Sequence, residues 1–356
     1  LTSGEKIRLE KNNITLTFND KKSQMIHLKA QVDKESIGQD FIDITLKSGD
    51  FSMQERTEID ILPNNPYTTL NKKFILESRD SFILENPKEY IKDSQMGYVL
   101  VSDKPIMSID HRLKWLIRYP YGCIEQTTSS VLPQLFLTTL SKANFIDKPT
   151  IVKNINAGIA RIATFQTSNG GFAYWQGGSS ADRWGSAYAG HFLLLAQAQG
   201  YYVPESVLKA WINYETYYVK NTTDVPTTIY PLYLLSLAGK PQIGLLNNIY
   251  EHHFKKLDVR DKWLLAAAYK LAGLEEIAQK ITENLPTKST ERDNSYYRFS
   301  YGSPLRDDAM ILKAYMDIYK TPHKELLTYI QQQLESNNWL STQTLGYSLL
   351  AIAPTL

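Results

Sequence analysis

Cysteine is almost missing from this sequence: Cys123 is the only one in 356 residues. Intrachain disulfides and cysteine-rich zinc sites are excluded at once. A surplus of one charge is missing too, with 39 Lys and Arg against 37 Asp and Glu. A dedicated nucleic-acid binder would show a basic excess or a basic tract, so no nucleic-acid partner is expected. No apolar run approaches the ~20 residues of a membrane helix, so this stretch is expected to make no membrane contact. No charged-then-apolar leader follows Leu1, which places any signal peptide upstream or among processed segments. What is present, 43% hydrophobic and 21% charged residues, is ordinary for a globular protein. The length fits two or three domains of ~100–200 residues. Chains of that size bury enough surface to need no metal, and neither metal nor cofactor is expected. The whole reads as a piece of something larger.

The first third and the remainder follow different periods. Residues 7–17, 25–32, 41–47 and 57–62 alternate apolar and polar side chains and are rich in β-branched residues. Turn material separates them at Asn19-Asp20, between Lys34 and Gln39, and at Gly49-Asp50. This pattern predicts an antiparallel sheet with one wet face, part of a β-sandwich that is short of strands for closure. Pro63-Asn64-Asn65-Pro66 reads as a linker, and further short strands are expected at 73–78 and 97–102.

From about Ser108 the period is helical. A helix from Asp110 to Arg118 is expected to stop before Pro120, whose ring cannot continue it. The next is expected over Ile124 to Leu140, entered through Gly122-Cys123. The same grammar recurs at 149–166, 184–199, 204–219, 226–238, 242–256, 261–272, 274–284, 304–320, 323–336 and 339–352. Very apolar segments such as 191–198 and 263–273 alternate with amphipathic neighbours. About a dozen helices of this kind, joined by short turns, suggest hairpins around an axis: an α/α toroid, or a superhelical array as the alternative. The fold class is thus α+β and multidomain. Two long loops interrupt the helices, 166–184 with four glycines and 291–304 with four aromatics; such loops pack over something or carry function.

The chemistry is concentrated at Tyr119-Pro120-Tyr121-Gly122-Cys123-Ile124-Glu125-Gln126-Thr127-Thr128-Ser129. Cys123 falls at the start of a helix, where free N–H groups and the dipole stabilise a thiolate. Gln126 projects from the same first turn. Sulfur and carboxamide at that spacing can close a ring as an internal thioester, with loss of ammonia. Gly122 permits a tight turn and Pro120 fixes the approach. Such a thioester is an activated acyl group: a nucleophile is acylated by Gln126 and Cys123 leaves as thiolate. The plain reading of the same residues is a buried, inert cysteine, a chance carboxamide and a Glu125 that suits a first helical turn.

The longer string Pro120-Tyr121-Gly122-Cys123-Ile124-Glu125-Gln126 resembles the thioester motif of the alpha-2-macroglobulin and complement family, and Thr127-Thr128-Ser129 resembles its bacterial branch. Gly170-Gly171-Phe172-Ala173-Tyr174-Trp175, Ala187-Tyr188-Ala189, the run from Tyr301 to Ala309 and that from Trp339 to Thr344 are similar to stretches of bacterial thioester domains. The resemblance implies a domain plan: a partial macroglobulin-like β-sandwich over 1–66, the first strands of a CUB-like β domain over 67–105, and an α/α-toroid thioester domain over 106–356. It also implies a broad-spectrum protease inhibitor, not an enzyme, in which a bait segment elsewhere in the parent chain is cleaved. The exposed thioester then couples to surface lysines of the target protease.

By the same resemblance Tyr119 shields the thioester from water, with Tyr121, Gly122, Glu125, Phe172 and Trp175 in supporting positions. The remaining domains of the parent chain are further partners, and the isolated piece is expected to hold a labile or hydrolysed thioester. The parent is expected in the periplasm or at the cell surface, possibly as a lipoprotein. Some complement-type members pass the acyl group to a histidine; the matching segment, 302–309, has none, so direct attack by amines is expected. His111 and His191 lie near the relevant helices. The rival readings are an α/α-toroid enzyme (a cyclase or prenyltransferase, or a glycosidase with two facing carboxylates), a Cys–His hydrolase, and a module with a dead thioester. For the first, only Arg306-Asp307-Asp308 comes near an acidic cluster, and two acids at a helix start read better as an N-terminal cap.

Overall fold

A computed structural model of the chain describes residues 1–18, 23–33, 36–65, scattered positions and short runs between 68 and 101, 109, 112–113, 116–140, 147–289 and 300–355. Contacts divide it into two compact units, Leu1–Ile106 and Met107–Leu356.

In the first unit β1 (Thr2–Ser3), β4 (Gly38–Ser48) and β5 (Phe51–Ile61) form an antiparallel sheet in the order β1-β4-β5, while β2 (Ile7–Leu9) pairs with β3 (Ala30–Val32). The Gly49-Asp50 turn joins β4 to β5, with Ser48 opposite Phe51 and Gly38 opposite Ile61. Gly49 sits at positive φ, a conformation L side chains avoid. Asp40 ties the elements together by accepting the backbone N–H groups of Lys6 and Ile7 at 2.8 and 2.9 Å. Two expectations fail. The alternating runs 7–17 and 25–32 contribute only three strand residues each, because alternation is a pattern of faces and does not by itself supply a pairing partner. The expected single wet face is also absent from the β4–β5 hairpin: Ile44, Leu46, Phe51 and Met53 are all exposed. No second layer lies over that end of the sheet among the described residues. The linker residues 63–65 are irregular; the expected strands at 73–78 and 97–102 fall largely outside the described residues.

The second unit is helical. Among the described residues α1 (Ile124–Val131), α2 (Gln134–Leu140), α3 (Lys148–Ala163), α4 (Arg183–Ala198), α5 (Glu205–Asn221), α6 (Val225–Leu237), α7 (Ile243–His252), α8 (Val259–Leu271), α9 (Glu275–Thr282), α10 (Pro304–Tyr319), α11 (Lys324–Glu335) and α12 (Thr342–Ile352) follow in order. Packing separates them into two rings. Helices α1, α4, α6, α8, α10 and α12 each touch the next, and α12 returns to α1. The remaining helices pack outside this inner ring. The closed α/α toroid is therefore the architecture of this unit.

Burial explains the alternation in composition. On α6, the run Thr228–Ser236 is buried without interruption, and on α8 so is Trp263–Tyr269. Outer α11 buries only Leu326, Ile330 and Leu334, a single stripe four residues apart. Helix ends follow local chemistry: Asp182, Ser303 and Ser341 accept N–H groups at the starts of α4, α10 and α12. Gly200, Gly239 and Gly273 sit at positive φ just past α4, α6 and α8.

Here too expectations are corrected. The helix expected from Ile124 to Leu140 is two helices with a turn at Leu132-Pro133, since Pro133 has no N–H to donate and its ring clashes with the preceding turn. The helix expected over 110–118 ends at Leu116; Asp110, His111, Lys114 and Trp115 lie outside the described residues. The segment 242–256 is α7 followed by a separate 3₁₀ turn at Phe254–Lys256. Of the loop 291–304, residues 291–299 are outside the described residues.

Candidate functional site

The inner helices run parallel, because residues from the first turns of several of them meet at one end of the ring. There Asp307 of α10 pairs with Arg306 at 2.8 Å and with Arg260 of α8 at 3.3 Å, and Arg260 also binds Asp261. Arg306 donates to Gln343 of α12 at 2.9 Å; Gln343 donates to Glu125 of α1 at 3.4 Å. Glu125 accepts from Ser129 at 2.7 Å, and Ser129 lies 3.2 Å from the Tyr188 hydroxyl of α4. A continuous polar chain thus links four helix starts to the turn that carries Cys123. The expectation that Asp307 and Asp308 serve as a helix cap is wrong. Ser303 is the cap, Asp307 is a fully buried partner of two arginines, and Asp308 accepts the Ser289 N–H at 2.6 Å. A buried acid is tolerated only when paired or neutralised, and burial pushes the Asp308 carboxyl up despite that bond. Below this layer His191 bonds Tyr230 at 2.8 Å, and Tyr230 lies 2.6 Å from the Tyr347 hydroxyl. Burial, with Lys313 secondarily, pushes His191 down to about 3.

At the same end, α1 begins with Cys123 as its N-cap and Gln126 at its third position, in a capping-box arrangement. The Cys123 N–H donates to Gln126 Oε1 at 3.2 Å, so the carboxamide folds back over the residue that holds the sulfur. Cys123 is buried (2% exposed), while Gln126 is exposed. Gly122 makes this fold-back possible. Its φ is +89°, and a Cβ there would stand 2.0 Å from Gln126 Oε1 and 3.0 Å from Gln126 Cδ. Arg161 of α3 fixes the turn from below, donating to the Gly122 carbonyl at 2.9 Å and to Thr127 Oγ1 at 3.3 Å.

The loop before α4 reaches the same turn. Gln166 bridges Phe172 and Ala173 bridges Ala181, closing a small hairpin. Gly170 lets it press onto α5, since a Cβ there would meet the Ala210 carbonyl oxygen at 2.3 Å. Phe172 is fully buried beneath, its N–H donating to Ser186 Oγ at 2.8 Å. The Tyr174 carbonyl then accepts the Ile124 N–H at 3.0 Å, one residue past the cysteine. The Tyr174 hydroxyl accepts from Tyr301 at 3.1 Å. Trp175 stands half out of the surface with its ring edge-on to Tyr174 at 5.5 Å. Tyr119 and Tyr121, 44% and 69% exposed, pack on each other at 4.6 Å.

The structure therefore brings together Gly122, Cys123, Glu125 and Gln126 with Phe172 and Trp175 through one loop, and leaves Tyr119 and Tyr121 exposed just ahead of the turn. Tyr174 and Tyr301, bonded to each other above this loop, were not singled out by sequence reasoning. Both lay inside noted segments, but no local spacing joins residues 127 positions apart. His191 is occupied with tyrosines deep in the ring, and His111 lies outside the described residues. No group of three or more His, Cys, Asp or Glu poised for a metal occurs among the described residues.

Comparison with known proteins bears on this arrangement. Residues 92–216 match the family model described as the A-macroglobulin TED domain. The alpha-2-macroglobulin of Escherichia coli K12 is 28% identical over 319 residues, covering 83% of this chain and 19% of that protein. That of Thermotoga maritima is 24% identical over 271 residues, covering 76% and 16%. The chain thus spans about a fifth of the length of the curated relatives it matches. Among solved structures, native E. coli alpha-2-macroglobulin superposes with a TM-score of 0.66 at 23% identity, over 99% of this chain and 24% of that one. A Salmonella alpha-2-macroglobulin reacted with methylamine gives 0.64 at 21% identity, over 99% and 25%. Family match, relatives and fold point the same way: residues 92–216 resemble the A-macroglobulin TED domain, and the chain has the fold of a segment of bacterial alpha-2-macroglobulins.

Proposed function

We propose that Cys123 Sγ and Gln126 Cδ are joined in an internal thioester, and that the parent protein uses it to trap proteases covalently. The observation that carries this reading is the asymmetry of the pair: a buried sulfur and an exposed glutamine folded back onto it over Gly122. An amine approaching from solvent meets the acyl carbon, and the sulfur departs inward. The C–N bond forms, the C–S bond breaks, and the electron pair remains on Cys123. At the start of α1 the helix dipole favours that negative charge. The Salmonella relative reacted with methylamine supports an amine as nucleophile, and the E. coli structures activated by trypsin and by elastase support a protease as trigger.

In this reading surface lysines of the target protease are the attacking amines and amides are the products. Tyr119 and Tyr121 limit water at the approach, and domains outside this stretch complete the shield, so the isolated chain loses its thioester to water readily. We place the parent protein in the periplasm or on the cell surface, where foreign proteases arrive, possibly as a lipoprotein. A metal-dependent cyclase is the less apt reading, since the acids at the ring mouth, Asp261 and Asp307, are engaged with arginines. The test is covalent uptake of a biotinylated primary amine, mapped by peptide sequencing. Label at residue 126 in the wild type, lost in Cys123→Ala, is expected. Label at scattered lysine-reactive or acidic positions, unchanged in Cys123→Ala, would overturn the reading.

A further inference from the structure

We propose that the peptide unit joining Gly122 to Cys123 is the oxyanion hole of the thioester, its N–H holding the acyl oxygen, and that Arg161 is the positioning residue that aims and polarises it. This deepens the proposed function and rests on it. The peptide is engaged at both ends. Its N–H, on Cys123, donates to Gln126 Oε1 at 3.2 Å, and its carbonyl, on Gly122, accepts from Arg161 Nη2 at 2.9 Å. An N–H selects the oxygen of a carboxamide and never its nitrogen, so Gln126 Cδ is presented in one orientation. Arg161 is itself fixed: its Nε donates to Thr127 Oγ1 at 3.3 Å, and its guanidinium lies 5.4 Å from the centre of the Phe165 ring. It forms no ion pair with a carboxylate among the described residues, so the Gly122 carbonyl is the nearest acceptor of its charge. The Cys123 carbonyl accepts the Thr127 N–H at 2.8 Å, which anchors the same residue from its other side.

The value of such a hole lies in the charge it meets. When a nucleophile adds to Gln126 Cδ, the carbonyl pair moves onto Oε1, and a modest acceptor becomes an anion. A bond at the long end of the amide range tightens as that charge builds, so it favours the transition state over the resting carbonyl. The guanidinium draws density from the Gly122 oxygen, and the amide passes that pull to its own N–H, because hydrogen bonds in a chain polarise one another. The same hole serves both reactions of the pair. In closure Cys123 Sγ bonds to Cδ, the C–N bond breaks, and the nitrogen leaves as ammonia with the thiol proton. In opening the amine nitrogen bonds to Cδ, the pair returns from Oε1, and the C–S bond breaks onto sulfur. The amine's surplus proton passes to water, and water returns one to the thiolate. Nothing is oxidised or reduced.

The experiment compares wild type, Arg161→Met and Arg161→Lys by intact mass, by the rate at which methylamine releases the Cys123 thiol, and by the infrared band of the thioester carbonyl in protein made with glutamine isotope-labelled at Cδ. Arg161→Met keeps an unbranched apolar stem and removes the cation with its donors. We expect it to retain the mass deficit of one ammonia, to open about 3- to 10-fold more slowly, and to move the carbonyl band to higher frequency as its hydrogen bond weakens. Arg161→Lys, which keeps the charge, is expected to fall between the two. An unmoved band overturns the inference whatever the rate, and so does opening at the wild-type rate or faster, the result of an arginine that only braces the turn. If Arg161→Met forms no thioester, Arg161→Lys decides: a mass deficit restored by the cation supports the relay, and glutamine retained at 126 there too overturns it. If water has already converted the thioester to glutamate, the share of residue 126 left as glutamine decides instead. A larger share in Arg161→Met supports the relay, and an equal or smaller one overturns it. A wild type of full mass with glutamine at 126 contradicts the proposed function itself, a failure distinct from these.

Discussion

The β unit and the helical unit of this chain answer the same physical demand differently. In the helical unit the inner helices α6, α8 and α12 are buried over most of their length, and the ring closes when α12 meets α1. The long apolar runs of its inner helices find partners within the same sequence. In the β unit the β4–β5 hairpin is fully paired along its backbone, yet Ile44, Leu46, Phe51 and Met53 are exposed. Backbone pairing and core formation are separate achievements. Only the unit with both can hold a reactive group in a fixed place, and the Cys123–Gln126 turn sits where the starts of the inner helices converge.

If that contrast is right, identical changes should have unequal effects. The largest is expected for Trp211→Ala in α5, whose side chain is fully buried and whose ring N–H donates to the Ser186 carbonyl at 2.9 Å. Thermal unfolding followed by circular dichroism should show a loss of about 3–5 kcal/mol. Asp307→Ala removes the shared partner of Arg260 and Arg306 and leaves two buried cations short of a counter-charge. A loss of about 3 kcal/mol or more is expected in denaturant titration. A loss near zero would mean that the polar chain at the ring mouth is not a structural element.

The third prediction concerns acid. The unfolded imidazole of His191 takes up a proton near ~6.5, whereas burial, then Lys313, pushes the folded value down to about 3. Between those limits the unfolded state binds more protons, so stability is full above the upper limit and falls as pH drops through the window. The expected slope is about 1.4 kcal/mol per pH unit from this one group. Among the groups around it, burial holds the Tyr230 and Tyr233 phenols well above their ordinary range, so neither ionises in that window. Melting curves from pH 7 to pH 4 should therefore show a shallower decline in His191→Phe than in the wild type. The smallest effect is expected in the β unit, where Phe51→Ala should change stability by no more than about 0.5 kcal/mol. A large loss there would sharpen the contrast away, by showing that the hairpin is covered in solution.

Much of the helical unit is legible in the sequence because its signals are local. Caps such as Asp182 and Ser341, the glycines after α4, α6 and α8, and the change from all-apolar to striped helices mark element type and layer. The break at Pro133 was equally local and was passed over because the apolar spacing on both sides continues in phase. The strands were harder to read. Alternation at 7–17 predicts faces, but pairing depends on a partner strand elsewhere, and only Ile7–Leu9 has one.

The site divides in the same way. Gly122, Cys123, Glu125 and Gln126 are one helical turn, readable from spacing alone. Tyr174 and Tyr301 meet beside this turn only through tertiary folding, and no periodicity announces them. Asp307 was misjudged for a related reason: a helix start explains an acid locally, whereas its partners Arg260 and Arg306 explain it by burial.

The central claim is that Cys123 and Gln126 share a bond, and one measurement addresses it directly. Intact mass should be recorded on freshly purified protein before and after methylamine, with free thiols counted and Cys123→Ala as control. The account predicts a mass short by one ammonia, no free thiol, and methylamine uptake that releases one. Full mass with a free thiol and with glutamine, not glutamate, at residue 126 would contradict it, because the bond would never have formed.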